Sequence, residues 1–297
     1  MERIMLLYNP TAGNASFSTK LDRFLQIFND LGYAVEIFRS SSPGSMSQYL
    51  ANKDFADVKA LFVAGGDGTF NEVVNQIMKS EVRPPLGVIP IGTGNDFASA
   101  IGLDLPVDDV FNAIAKLQMR KVDVGEANGQ FFINVCGVGL FTNVSQNTNA
   151  DLKQIFGKLP YYTTGISQLH TFKPFRLTIE ANNAIYSDEF LLFLVMNSDS
   201  AGGIRMAPGS DLSDGKFDFV GIKKTALPKL ANILVKLMKK KLLDDKHVLH
   251  LTSDHYKISS DNISDSLKEA DIDGESGPRL PLEIKVHKSA LTIITNF

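Results

Sequence analysis

The stretch ALFVAGGDGTFN, residues 60–71, decides how the first part of the sequence is expected to fold. Its first five residues are apolar and predict a buried strand, which the pair Gly65-Gly66 ends. A helix is predicted directly behind the turn, over residues 70–78. A continuous apolar strand followed by an amphipathic helix is typical of a parallel sheet that is covered on both faces.

The same alternation continues on both sides of this stretch. In the first part of the chain it predicts strands over residues 4–8, 33–38 and 86–90, and helices over residues 18–31 and 107–116. After about residue 120, short runs rich in Phe, Val and Ile are separated by Asn, Asp, Gly and Ser, a pattern of antiparallel strands and turns. These strands are predicted over residues 121–125, 131–136, 176–180, 189–196 and 216–222, with helices over 151–169 and 227–240. We therefore expect two domains, the first α/β and the second mainly β.

Length and composition exclude several classes of protein. A chain of 297 residues suits two domains or one large one, and its net charge of −3 argues against a general nucleic-acid binder, which needs excess positive charge. The single cysteine, Cys136, excludes an internal disulfide and a multi-cysteine zinc cluster. The longest apolar runs are far short of the roughly 20 residues that span a bilayer. The expectation is a soluble cytoplasmic protein.

Three glycine-containing loops follow three of the predicted strands. They read Asn-Pro-Thr-Ala-Gly at residues 9–13, Gly-Gly-Asp-Gly-Thr at residues 65–69 and Gly-Thr-Gly-Asn-Asp at residues 92–96. The carboxyl ends of parallel strands meet at one edge of a sheet, and glycine lets backbone N–H groups approach an anion closely. Each loop alone could be a plain turn, but the second would arise by chance in on the order of one chain in several thousand. Together the loops predict a phosphate site.

Two familiar phosphate motifs are absent from the sequence. No G-x-x-x-x-G-K-[ST] string occurs, and neither Gly92-Thr93-Gly94 nor Gly137-Val138-Gly139 continues to the third glycine of a dinucleotide fingerprint. A hydride-transfer enzyme is therefore not expected.

Asp67 is the most informative residue of the second loop. A carboxylate beside phosphates would repel them unless a cation intervenes, so Asp67 is a candidate for holding Mg²⁺ through water or for handling a proton. The alternative is an aspartate that caps the following helix.

The combined motifs resemble the diacylglycerol kinase catalytic-domain family, and most closely its compact bacterial lipid kinases. The resemblance covers nearly the whole chain. It rests on Asn9-Pro10-x-x-Gly13, the loop at residues 65–69 with Asn71-Glu72, Gly92-Thr93-x-Asn95-Asp96-Phe97, Val122-Asp123-Val124-Gly125, Asp214-Gly215 and Asp273-Gly274-Glu275.

The resemblance implies a fold with two domains and an active cleft between them. The first is a three-layer, phosphofructokinase-like α/β domain that binds ATP, over residues 1–122 with residues 290–297 returning to it. The second is a β-sandwich over residues 123–289 that binds the lipid substrate.

The reaction that the resemblance implies is transfer of the γ-phosphoryl group of ATP to the hydroxyl of diacylglycerol, which gives phosphatidic acid. Glu275 matches the general base of the family, and a carboxylate can accept the hydroxyl proton. Asp273-Gly274 would also suit a hairpin turn. Asp271 and Asp273 alternate with Glu275 along an extended segment, as surface residues do, and receive no role. The residues that would bind ATP are Asn9, Pro10, Thr11, Ala12, Gly13, Ser40, Gly65, Gly66, Asp67, Gly68, Thr69, Phe70, Asn71 and Thr93.

A structural Mg²⁺ is also implied at the turn of residues 211–216. It would be held by the side chain of Asp214 and by the backbone carbonyls of Asp211 and Lys216. Ser213 stands where relatives commonly have a second aspartate. The alternative is a plain turn before the next strand.

The expected partner is a membrane lipid, reached by peripheral contact, with no nucleic acid and with a homodimer left open. Lysines 229, 236 and 240 form one stripe of the helix predicted over residues 227–240, opposite an apolar stripe. This helix either docks on an anionic membrane or simply buries its apolar side.

Alternatives to the function are a kinase of another lipid hydroxyl, in phosphatidylglycerol or a sphingoid base, a kinase of NAD, and a nucleotide-binding regulator without catalysis.

Overall fold

The structure is a computed structural model that describes residues 2–13, 17–139, 174–263 and 268–297. The chain divides into two compact units, Met1–Val124 with Ser289–Phe297, and Gly125–Lys288. The helix predicted over residues 151–169 lies outside the described residues.

The first unit alternates strands and helices along the chain. In order they are β1 (Arg3–Tyr8), α1 (Leu21–Asp30), β2 (Ala34–Arg39), α2 (Ser45–Leu50), β3 (Val58–Gly65), α3 (Asp67–Ile77), β4 (Leu86–Pro90), α4 (Asp96–Ala100), α5 (Val107–Ile114) and β5 (Met119–Ala127), which continues into the second unit.

The second unit consists mainly of strands. In order they are β6 (Gln130–Phe132), β7 (Val135–Val138), β8 (Phe175–Ala181), β9 (Ala184–Met196), β10 (Ser200–Ala201), β11 (Ile204–Arg205), β12 (Phe217–Lys223), α6 (Leu227–Met238), β13 (Val248–Ser253), β14 (His255–Ser259), β15 (Glu269–Ile272), β16 (Glu275–Arg279) and β17 (Leu282–Ile294), whose last residues belong to the first unit.

The sheet of the first unit is parallel and has the strand order β2-β1-β3-β4-β17. The chain passes from β1 to β2 on one side and then crosses to β3 on the other side of β1. The strand order therefore reverses between β1 and β3, and in open α/β sheets ligands bind outside the carboxyl ends of the strands at such a switch point.

The core of this unit lies on both faces of β3. Residues 60–64 of β3 are fully buried, so side chains that point to opposite faces are all covered. On one face the ring of Phe62 contacts Phe24 and Phe28 of α1, and Phe24 contacts Phe111 of α5. The predicted parallel sheet with covered faces is confirmed.

The second unit is a sandwich of antiparallel strands in which the long strand β9 pairs with different neighbours along its two halves. The first half of β9 pairs with β8, which continues through β14 to β17, and its second half lies between β7 and β12. Large side chains, among them Phe193, Phe219 and Tyr256, form a buried core. The predicted fold class, an α/β domain and a β-sandwich, is confirmed.

Helix α6 covers the other face of β9 and β12. Leu230, Ile233 and Leu237 of α6 are buried in a cluster with Leu194 and Val220. The helix was predicted over residues 227–240 and ends at Met238.

Several predictions of local structure are wrong in detail. The strand predicted over residues 189–196 begins five residues earlier, at Ala184. The run at residues 131–136 forms two short strands, β6 and β7, rather than one, because the backbone N–H groups at residues 133–135 donate to the Asp273 carboxylate. Helix α3 begins at Asp67 and not at Phe70. The short helices α2 and α4 were not predicted.

Candidate functional site

The three glycine loops meet at the carboxyl ends of β1, β3 and β4. Asn9 Nδ2 donates to Thr69 Oγ1 at 3.3 Å, which joins the first loop to the second. A Cβ on Gly92 would lie 2.5 Å from the Cα of Gly66, and one on Gly13 would lie 2.1 Å from the backbone oxygen of Ile91. Side chains at Gly13 and Gly92 would collide with backbone, so glycine is what lets the loops approach.

The first loop is a turn that the Asn9 side chain holds. Asn9 Oδ1 accepts the Thr11 N–H at 3.0 Å and the Thr11 hydroxyl at 2.8 Å, and the Ala12 N–H donates to the Asn9 carbonyl at 3.3 Å. Pro10 lies inside this turn and fixes its own φ. The turn ends at Gly13, whose φ of +57° is in the left-handed region.

The Asp67 carboxylate connects the second loop to the third. Asp67 Oδ2 accepts the Asn95 N–H at 2.7 Å, and Asp67 Oδ1 accepts the Phe97 N–H at 3.4 Å. Gly94 lies against the same carboxylate, because a Cβ there would be 2.8 Å from Asp67 Oδ2. Thr93 lies between the two glycines of this third loop. An ionised carboxylate is an oxygen ligand of the kind that a hydrated Mg²⁺ prefers.

Helix α3 begins at Asp67, directly after Gly65-Gly66. Its first turn, with Gly68 and Thr69, carries the partial positive charge of a helix N-terminus, which favours anions. Two predicted nucleotide contacts lie deeper in the helix. Phe70 is buried and stacks on Phe97, and its N–H donates to the Gly66 carbonyl, while Asn71 is 8% exposed. The Phe70 ring therefore packs in the core beside the second loop.

Ser40 lies at the carboxyl end of β2, the strand next to β1. Its N–H donates to the Tyr8 carbonyl at 2.9 Å, and its Oγ lies 2.9 Å from the Ser45 Oγ. Ser40 is therefore at the same edge of the sheet as the loops, where it joins the turn before α2.

In the second unit, Glu275 lies at the start of a hairpin strand. Ile272 pairs with Glu275, and the two turn residues have positive φ angles, +50° at Asp273 and +87° at Gly274. This is the geometry of a two-residue turn of type I′. The turn presents the Glu275 side chain at the surface of the unit, where it is exposed.

Asp273 is buried and holds this hairpin to the bend between β6 and β7. Its Oδ1 accepts the N–H groups of Asn134 at 2.9 Å and Val135 at 2.8 Å, and its Oδ2 accepts that of Ile133 at 2.8 Å. The expectation that Asp271 and Asp273 are surface residues is wrong, because they are 9% and 6% exposed. Nothing in the local sequence signals this, since the three N–H groups lie about 140 residues away.

Asp271 is a buried acid whose carboxyl has a raised pKa. Burial raises the pKa of its carboxyl to about 7, the nearby charges of Asp273 and Glu275 act in the same direction, and the Gly274 N–H opposes them. That N–H donates to Asp271 Oδ1 at 2.9 Å. Asp271 is therefore partly protonated near neutral pH.

The turn at residues 211–216 is held by its own hydrogen bonds. Asp214 Oδ1 accepts the Lys216 N–H at 2.8 Å, and Asp211 Oδ1 accepts the Ser213 N–H at 3.0 Å. The Lys288 ammonium donates to the Asp214 carbonyl at 3.2 Å, so a positive charge lies beside this turn. Within the described ranges, no group of three or more His, Cys, Asp or Glu could hold a metal ion. The predicted site would use one carboxylate and two backbone carbonyls, so the metal at this turn stays a prediction.

Comparison with known proteins extends over both units. Residues 3–127 match the family model of the diacylglycerol kinase catalytic domain, and residues 134–295 match that of the YegS C-terminal NAD kinase beta sandwich-like domain. The motif-based resemblance is thereby confirmed.

Individual relatives cover nearly the full chain. The diacylglycerol kinase of Bacillus subtilis (strain 168) is 34% identical over 95% of this chain and 93% of its own. That of Staphylococcus saprophyticus is 31% identical over 98% and 95%. The crystal structure of a diacylglycerol kinase from Bacillus anthracis str. Sterne is 28% identical, covers 99% of this chain and 97% of its own, and superposes with a TM-score of 0.78. The chain belongs to the diacylglycerol kinase catalytic-domain family.

Proposed function

We propose that this protein is an ATP-dependent lipid kinase that transfers the γ-phosphoryl group to the free hydroxyl of diacylglycerol, giving phosphatidic acid for phospholipid metabolism. The observation that carries the proposal is the convergence of three glycine loops at the switch point of a parallel sheet. In that position backbone N–H groups and a helix N-terminus favour phosphates. The family of the chain supports the lipid as acceptor.

The nucleotide contacts that we propose are grouped by loop. Residues 9–13 and 65–69 would surround the phosphates, because their glycines leave room for an anion beside the backbone. Thr93 would contribute from the third loop, and Ser40 and Asn71 from the adjacent strand end and helix.

Asp67 would hold Mg²⁺ through water. The fit rests on its donor chemistry, since oxygen ligands are those that Mg²⁺ prefers and this ion usually keeps several waters. When bound, Mg²⁺ would neutralise part of the charge on the phosphates. The N–H groups of Asn95 and Phe97 keep the Asp67 carboxylate oriented towards the third loop.

Glu275 would accept the proton of the attacking hydroxyl. The hydroxyl oxygen forms a bond to the γ-phosphorus while the bond from that phosphorus to the bridging oxygen of ADP breaks, and the proton passes to the carboxylate. The exposure of Glu275 at the start of β16 supports this role, because a general base must reach its substrate. Asp273 would act as a positioning residue, since it holds the turn from which Glu275 projects.

We also propose that the enzyme works in the cytoplasm, in peripheral contact with the membrane, with a homodimer as the assembly state left to test. No helix in the part of the chain that the structure describes is long and apolar enough to cross a membrane. Analytical ultracentrifugation would measure the assembly state directly.

The decisive experiment incubates the protein with γ-labelled ATP, Mg²⁺ and separate micellar lipids or NAD. Label in phosphatidic acid is expected. Label in another lipid or in NADP, with none from diacylglycerol, would overturn the proposed acceptor, and binding of ATP without any transfer would indicate a regulator.

Two variants test the roles of the carboxylates. Glu275→Gln and Asp67→Asn should each lower turnover by roughly 10²–10⁴, the usual contribution of a general base or a catalytic charge. Glu180→Gln is the matched control, because Glu180 is also an exposed strand glutamate of the second unit. A Glu275→Gln enzyme as active as the control would exclude Glu275 as the base.

A further inference from the structure

Positive charge is concentrated in one segment of the second unit. Residues 227–246 contain six lysines and two aspartates, a net charge of +4, in a chain whose net charge is −3. The segment comprises helix α6 and the turn that follows it. Such an asymmetry is a physical signal for an anionic partner.

The orientation of α6 decides which of its side chains a partner could reach. Leu230, Ile233 and Leu237 are buried against the sheet, so most of the apolar side that the sequence pattern offered to a membrane is used in the core. Val235 and Met238, in contrast to these three, are exposed. They are 46% and 55% exposed, among the most exposed large apolar side chains in the described residues.

Three consecutive lysines follow directly at the end of the helix. The Lys240 N–H donates to the Leu237 carbonyl at 3.0 Å and the Lys241 N–H to the Lys236 carbonyl at 2.8 Å, which closes the helix as a Schellman motif. Lys239, Lys240 and Lys241 are exposed and form no ion pair within the described part of the chain. Lys236, by contrast, pairs with Asp245 at 2.9 Å. The charge available to a partner is therefore at the helix end and not along the whole lysine stripe.

We propose that this helix end docks on an anionic lipid bilayer. The basic helix end is defined by five side chains, Val235, Met238, Lys239, Lys240 and Lys241. The ammonium groups would lie at the lipid headgroups while the two apolar side chains enter the interface, as in amphipathic surface helices. The inference deepens the proposed function and rests on it for its purpose, because a kinase of membrane lipids must reach them.

The composition of the segment favours lipid over the other anionic partners. Residues 227–246 contain no aromatic side chain on which a base could stack, and base stacking is a main contact of single-stranded nucleic acids. The exposed Val235 and Met238 would add nothing to a purely ionic contact, whereas apolar side chains stabilise insertion into a lipid interface.

The first test measures sedimentation with vesicles of phosphatidylglycerol and phosphatidylcholine, without nucleotide. The triple variant Lys239→Gln, Lys240→Gln, Lys241→Gln should bind about 100-fold more weakly, because each lysine near an anionic surface contributes about 1 kcal/mol. The matched control changes three exposed lysines elsewhere to Gln that form no ion pair among the described residues, namely Lys79, Lys116 and Lys257. Equal binding by both triple variants would overturn the proposal, because net charge alone would then explain it.

A second variant separates insertion from charge. Val235→Ser with Met238→Gln keeps every lysine and should weaken vesicle binding about tenfold, since it removes apolar area from the interface. If this variant binds vesicles as strongly as the parent, and the parent binds an RNA homopolymer as strongly as it binds vesicles, the surface would be assigned to general polyanions instead. Circular dichroism spectra that match the parent would show that each variant is folded.

An activity assay distinguishes failure of this inference from failure of the kinase assignment. In neutral detergent micelles, diacylglycerol is presented without an anionic surface, so the lysine variant should phosphorylate it as fast as the parent. On anionic vesicles the variant should be slower at limiting lipid. A parent protein that sediments with vesicles but phosphorylates no lipid would contradict the proposed function and leave the docking surface standing.

Discussion

Replacing Asp271 by Asn should stabilise the protein at alkaline pH. Asp271 is buried beside Asp273 and Glu275, and burial raises the pKa of its carboxyl from 3.8 to about 7. Asn has nearly the same shape and keeps a side-chain oxygen for the Gly274 N–H, which lies 2.9 Å from Asp271 Oδ1. The substitution therefore removes a buried charge without removing the acceptor.

The size and sign of the effect follow from linkage. A pKa raised by about three units corresponds to about 4 kcal/mol, at about 1.4 kcal/mol per unit, as an upper limit. Between about pH 4 and pH 7 the folded protein binds more protons at Asp271 than the unfolded chain, so the contribution of this group to the free energy of unfolding falls as pH rises. Above about pH 7 the loss is complete. Asp271→Asn should therefore differ little from the parent near pH 4 and be more stable by up to about 4 kcal/mol at pH 8.

Urea unfolding of parent and variant at several pH values would measure this difference. Asp218→Asn is a control with the opposite sign. Burial raises the pKa of Asp218, but hydrogen bonds from His250, Ser210 and Thr252 together lower it below its usual value, so this carboxylate stabilises the fold above pH 4. A constant difference between Asp271→Asn and the parent from pH 4 to pH 8, or a less stable variant at pH 8, would refute the reasoning. Carbon-13 titration of the Asp271 carboxyl would show the cause directly.

Three further substitutions test separate parts of the structure. Gly13→Ala should destabilise the protein by about 1–3 kcal/mol and weaken ATP binding in calorimetry, because the new Cβ would lie 2.1 Å from a backbone oxygen. The control is Gly44→Ala, which should show only the smaller cost of backbone strain, because Gly44 has a φ of +81° but no atom within 4 Å of the new Cβ. Asp273→Ala should lower the free energy of unfolding by about 3 kcal/mol or more, because three backbone N–H groups lose a charged acceptor, and a melting temperature equal to that of the parent would contradict this. Lys240→Gly should raise the free energy of unfolding by about 1 kcal/mol, because Lys240 has a φ of +57°, at which glycine is unstrained. The same variant should sediment less with vesicles, because it loses one ammonium group. A stabilised variant that sediments as well as the parent would remove Lys240 from the docking surface.

The first unit could be predicted largely from sequence because its strands are buried on both faces. A strand such as β4, predicted over residues 86–90 and found at Leu86–Pro90, appears as one apolar run regardless of its neighbours. The order of the strands could not be predicted, since it depends on which strand each crossover reaches. The short helix α2 was also missed. It is tied to α3 by the Ser47 N–H, which donates to Glu72 Oε1 at 2.9 Å, a contact that no local pattern encodes.

The candidate site also has a part that the sequence could predict and a part that it could not. Glycines at the ends of apolar strands indicated where anions would bind, because both the strand and the turn are local features. The roles of Asp271 and Asp273 are not local. Asp273 accepts N–H groups from residues 133–135, and the pKa of Asp271 depends on burial that only the folded unit provides. Alternation along a strand suggested solvent exposure, and tertiary packing overrode it.

The same hydrogen-bonding arrangement occurs in both units, and it determines how mutations at the site should be interpreted. A carboxylate accepts backbone N–H groups from a loop that is distant in sequence, Asp67 from Asn95 and Phe97, and Asp273 from the bend at residues 133–135. Removing either carboxylate with Ala releases a loop as well as a charge. Lost activity in Asp67→Ala would therefore not distinguish a charge that acts on the phosphates from a loop that has moved. Asp67→Asn removes the charge but keeps an acceptor oxygen, so turnover lost in that variant without a fall in melting temperature is the result that points to chemistry.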